Sequence, residues 1–101
     1  MREGLYSTLE QHGFSKTGGK PEHEWGHPLK GTRLQFRVEI VHVMNRCEIQ
    51  WGEEVARHRL QPGADRVASP HGDDQRRFVD WLRVTAGHIL NSLHEAEHRH
   101  E

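Results

Sequence analysis

A chain of 101 residues with 33 % hydrophobic content has the length of one domain and little apolar material for a core. Trp25, Trp51, Trp81, Phe14, Phe36 and Phe78 must therefore supply much of it. Its 14 Lys and Arg stand against 15 Asp and Glu, which excludes the basic balance of a general nucleic-acid coat and leaves room only for a local basic patch. The single cysteine, Cys47, excludes an intramolecular disulfide, and no apolar run approaches the roughly 18 residues of a membrane span. The opening MREGLYSTLEQ lacks the apolar stretch of a signal peptide, so the expected location is cytoplasmic, away from membranes. A thin core also raises the expectation of a homodimer that buries more surface.

In chain order, EGLYSTLEQHGF places Leu5 and Leu9 four residues apart, with Gly13 behind them as a C-cap. This predicts a short amphipathic helix of about three turns. SKTGGKPEHE (15–24) and QPGADRVASPHGD (61–73) are rich in Gly, Pro and polar residues and read as loops. HEWGHPL (23–29) predicts a short strand ended by Pro28. TRLQFRVEIVHV (32–43) alternates with period two, Leu34, Phe36, Val38 and Ile40 on one face and Arg33, Gln35, Arg37 and Glu39 on the other, which predicts a half-buried strand. CEIQW (47–51) alternates again after a turn at Asn45. EEVARHRL (53–60) reads as a further strand, with Ala56 and Leu60 on one face and Arg57 and Arg59 on the other. The last segment opens on acidic residues suited to an N-cap and carries Phe78, Trp81, Leu82, Thr85, Ile89 and Leu93 at helical spacing. It predicts a helix of about 25 residues, ~37 Å long. Gly87 inside it suggests a close approach to another backbone, or a bend.

The expected fold is α+β: a short N-terminal helix, an antiparallel sheet of three to four strands and a long C-terminal helix packed on one sheet face. Residues 1–101 form a single domain, with 94–101 a polar tail that frays, because no apolar residue larger than Ala96 follows Leu93.

Several groups of residues bear on chemistry. His94-Glu95-Ala96-Glu97-His98 satisfies H-E-x-x-H, and on a helix His94 and His98 share a face as a zinc pair does. The sequence ends three residues beyond His98 without the further ligand that a zinc protease needs, so the pair is a weak metal candidate and no cofactor is expected. Cys47 reads as a buried strand residue. Arg33, Arg37, Arg57 and Arg59, with Arg46 at a turn, form a prospective arginine surface on the wet sheet face, suited to a protein partner or to phosphates.

The stretch LEQHGFSKTGGKPEHEWGHP (9–28) resembles the opening of HicA-type toxins, small RNases with a double-stranded-RNA-binding-like fold. His12-Gly13-Phe14 matches the helix exit, His23 the catalytic histidine, Trp25 the aromatic and His27-Pro28 the His-Pro pair. Pro21-Glu22 stands where the family has Gly-Ser, and the spacing from His23 to His27 is one residue short. The resemblance implies an RNase with His23 as general base.

No catalytic group is complete in the sequence, whereas interaction surfaces are available. The leading expectation is a small non-enzymatic binding module: an adaptor or inhibitor, of the kind phages and mobile elements encode, acting on a protein through its exposed sheet face or long helix. The alternatives are the HicA-like RNase and a nucleic-acid-binding regulator that uses the arginine face.

Overall fold

The computed structural model describes residues 2–17, 24–43, 46–57, 59–70 and 74–100. Helix α1 (Arg2–Gln11) is followed by strands β1 (Ser15–Lys16), β2 (Glu24–Pro28), β3 (Gln35–Val43), β4 (Arg46–Ala56), β5 (Arg59–Leu60) and β6 (Asp65–Ala68), and by helix α2 (Gln75–Arg99). The class is α+β, with both helices against an antiparallel sheet.

The end of α1 explains how its short helix stops cleanly. Gly13 adopts φ 91°, a conformation that glycine enters without steric cost. The Phe14 N–H then reaches back to the Leu9 carbonyl (3.0 Å) and the Gly13 N–H to that of Glu10 (3.1 Å). This is a Schellman closure, and the two side chains it brings together, Leu9 and Phe14, are both buried. The long helix is started by Asp74, whose carboxylate accepts from the N–H groups of Arg76 and Arg77.

The sheet runs β1-β2-β3-β4, and β5 and β6 share the remaining edge of β4. All pairs are antiparallel. The backbone of the sheet is the β3–β4 pair, in register from Phe36↔Glu53 to Val43↔Arg46. Two of the six strands, β1 and β6, lie inside segments that read as loops. Each is four residues long or less and lacks an apolar alternation, so only its hydrogen bonds to a longer neighbour make it a strand. A third difference concerns residues 53–60. Rather than a new strand, Glu53–Ala56 continues β4, the chain reverses beyond Ala56, and β5 returns beside it with Ala56 opposite Arg59.

Alternation sends Phe36, Val38 and Ile40, Cys47, Ile49 and Trp51, and Trp25 to the face that the helices cover. Leu5 and Leu9 of α1 and Leu82, Ala86, Ile89, Leu93 and Ala96 of α2 close this core. Trp25 stacks on Tyr6 with ring centroids 5.6 Å apart, which ties α1 to β2. Phe78 and Trp81, at the start of α2, stack on each other and remain only partly buried.

The expected fraying beyond Leu93 does not occur. Helix α2 continues to Arg99, Ala96 is fully buried, and the end is fastened to β4 through Glu53. Arg99 Nη2 donates to Glu53 Oε2 (2.6 Å), and His100 Nε2 donates to Glu53 Oε1 (2.5 Å). A small apolar side chain and two polar anchors hold this last stretch, a combination that hydrophobic periodicity does not register. Gly87 likewise differs from expectation: a Cβ built there meets nothing within 4 Å, so it makes no close backbone approach.

Candidate functional site

The arginines that the sequence places on one strand face divide into two populations. Arg37 points away from the helices but is only 2 % exposed. Its position explains this. The register puts Gly26 on one side of it and Gly52 on the other, and side chains from elsewhere cover those glycines: Gln35 and Thr17 stand over Gly26, and Ala64 and Gln61 over Gly52. Arg37 Nε donates to Glu39 Oε2 (2.8 Å), Nη2 lies 3.2 Å from Glu24 Oε2 and Nη1 lies 3.7 Å from Glu54 Oε2. The carboxylates are held in turn: Gln50 Nε2 donates to Glu39 Oε1 and the Gln35 N–H donates to Glu54 Oε1, both at 2.8 Å. Arg46 lies 3.7 Å from Glu48 on the same face. With Glu24, Glu39, Glu48 and Glu54 on one face, the surface expected to be basic carries more carboxylates than guanidinium groups among its strand residues.

Arg33, Arg57 and Arg59 lie elsewhere. Pro28, Gln35, Glu54 and Leu60 form one row across the end of the sheet, through the pairs Pro28↔Gln35 and Glu54↔Leu60 and the Gln35–Glu54 hydrogen bond. Arg33, in the turn between β2 and β3, and Arg57 and Arg59, in the reversal between β4 and β5, project beyond that row and are exposed. Of the five candidate arginines, the fold thus gathers three at one pole and leaves Arg37 and Arg46 on the broad face.

The carboxyl of Glu53 is shifted by its surroundings. Partial burial pushes it up, but hydrogen bonds and charge from His100 and Arg99 outweigh the burial, and on balance it lies below its ordinary value.

His23 lies outside the described residues. His27, which follows it in the resemblance, donates from Nδ1 to the Pro28 carbonyl (2.8 Å) and meets Phe14 edge-on. His94 and His98 do lie one turn apart on the exposed side of α2, with His94 Nδ1 3.6 Å from Glu97 Oε1. Among the described residues, no three His, Cys, Asp or Glu side chains converge as a metal site would require. Cys47 is buried, its backbone paired with Ser69.

Two hollows remain. One, between β6 and α2, is polar and is lined by Trp51, Asp65, His88, Asn91, Ser92 and Glu95. The Trp51 indole donates to Ser92 Oγ (3.0 Å), but neither Asp65 nor Glu95 is bonded to His88, so no acid–base pair is assembled there. The other is an apolar groove of about 360 Å³ between α1 and α2. Leu5, Leu82, Ala86 and Leu90 form its floor, Gly4, Thr8 and Gly87 leave it open, and Val79 and Arg83 stand at its rim. Val79 is 44 % exposed, a large apolar side chain in water at the groove's edge. Of the residues of α2 that line this groove, only Leu82 belongs to the apolar stripe legible in the sequence; Val79 and Ala86 lie off it, and the part of Gly4 depends on where α1 docks.

No family model, curated protein or solved structure matches this chain. The site is therefore read from its own geometry. Among the described residues no helix is long and apolar enough to cross a membrane.

Proposed function

We propose that this protein is a non-enzymatic binding module that engages a protein partner on its helical layer. The groove between α1 and α2 carries the proposal. It is apolar, open to solvent and floored by side chains that already belong to the core, so an inserted apolar side chain gains burial without displacing anything. Gly87 has empty space above it and Gly4 has none of its neighbours within contact, so the backbone of a partner helix can approach closely there. The broad sheet face is a poorer docking surface, since Arg37 and Arg46 on it are ion-paired within the chain and a partner would have to compete with those pairs.

Affinity capture with the wild type and with Gly87→Trp tests the reading. The tryptophan fills the groove from an exposed helical position that has room for it, so the fold persists. A stoichiometric partner held by the wild type and lost with Gly87→Trp is the expected result. Equal capture by both contradicts the groove as the docking surface. The second copy of the chain is a distinct outcome: size-exclusion chromatography then shows a dimer that Gly87→Trp converts to a monomer.

A further inference from the structure

The pole of the sheet carries a second surface. Lys30 and Arg33 in the β2–β3 turn and Arg57 and Arg59 in the β4–β5 reversal are all exposed. None of their side chains forms an ion pair or hydrogen bond among the described residues. This separates them from Arg37, Arg46, Arg83 and Arg99, each of which is bound to a carboxylate of the chain. The end of α2 lies against the same pole: the His100 carbonyl oxygen is 3.9 Å from where a Cβ on Gly31 would stand. Two carboxylates of β4 at this end are committed within the chain, Glu53 to Arg99 and His100, and Glu54 to Arg37 and the Gln35 N–H. Among the described residues, four cations without an ion-pair partner thus lie at one end of the sheet, in a chain whose formal net charge is -1.

We propose that this pole docks a short acidic segment of a partner protein. Three of its four cations are arginines, whose forked guanidinium groups bind carboxylates bidentately. The patch is also confined. The molecule measures 43 × 23 × 22 Å, and the broad face that continues from the pole carries four carboxylates, Glu24, Glu39, Glu48 and Glu54, against Arg37, Arg46 and Arg66. A long polyanion leaving the pole over that face meets repulsion, whereas a short acidic segment stays within the patch. No exposed aromatic among the described residues stands at the pole to stack on a nucleic-acid base. This proposal is independent of the groove, and Gly87→Trp is expected to leave it intact.

The test is fluorescence anisotropy on the full chain with a short labelled peptide of alternating Glu and Gly, its Gln–Gly counterpart, and a labelled single-stranded oligonucleotide of equal charge. At low ionic strength the Glu peptide binds, the Gln peptide does not, and the oligonucleotide binds more weakly. The double reversal Arg57→Glu/Arg59→Glu weakens the Glu peptide about tenfold or more, since each exposed pair contributes modestly and reversal adds repulsion. The milder Arg33→Gln/Arg57→Gln, in turns that bury neither side chain, shows a smaller loss in the same direction. Arg76→Glu/Arg77→Glu, at the start of α2, leaves binding unchanged. Absence of Glu-peptide binding, equal loss from the Arg76/Arg77 reversal, or tighter oligonucleotide binding that is lost with the pole arginines would each overturn the proposal.

Discussion

Arg37 shows how a charged residue becomes an interior one without leaving a strand's polar register. Its alternation with Phe36 and Val38 is legible in the sequence and puts it on the correct face. Its burial is not legible, because that depends on Glu24 of β2 and Glu54 of β4 converging on it beside Glu39, which is a property of the register. Removing the guanidinium takes the shared cation away from Glu54, which is itself 8 % exposed, and from Glu24 and Glu39. Breaking a buried pair of this kind costs about 3–5 kcal/mol. Arg37→Met is accordingly expected to lose about that much stability in urea denaturation, with Arg37→Lys falling between it and the wild type. Glu53 supplies a pH signature of its own. Its folded carboxyl titrates below the ordinary glutamate value, so its stabilising contribution is present above roughly pH 4.3 and is lost as the pH falls through the lower folded value. Glu53→Gln is expected to be less stable than the wild type at neutral pH. In thermal melts run down the acid limb, that difference shrinks. A constant difference at every pH would deny the Glu53–Arg99–His100 contact its role.

At the scale of elements, the two helices and the β3–β4 pair were readable because each carries a sustained apolar period. The strands β1 and β6 are not readable, being two and four residues long and held by partners that the local sequence does not name, and β5 reads as one strand with Glu53–Ala56 because the reversal between them carries no Gly or Pro. The helical end of α2 is hidden from periodicity for a related reason: Ala96 is small enough to look indifferent, yet it is fully buried, and Glu53 is 46 residues away from the Arg99 it anchors. Helix α2 also allows a paired test of the physics behind it. Asp74→Ala removes the carboxylate that caps two N–H groups and is expected to cost ~1 kcal/mol. Gly87→Ala, at an exposed position with open space, is expected to stabilise by up to about 1 kcal/mol. If Gly87→Ala destabilises instead, the helix is not regular at that point.

For the whole molecule, the layering was legible and the working surfaces were not. The sequence places arginines and an apolar helix stripe on a small α+β domain. Which arginines remain available, and where the stripe stays uncovered, follow from how α1 lies on α2 and how the turns at the sheet end are stacked. The resulting protein has three distinct faces: an apolar groove on the helices, a broad sheet face on which Arg37 and Arg46 are paired with glutamates, and a cationic pole. Partner binding is proposed for the first and third, and substitutions at Gly87 and at Arg57 and Arg59 are expected to separate them. The most direct measurement of the central claim is isothermal titration of the captured partner into the wild type and into Gly87→Trp, with circular dichroism confirming that both are folded. The groove account predicts saturable binding to the wild type and none to Gly87→Trp. Unchanged affinity for Gly87→Trp would contradict it.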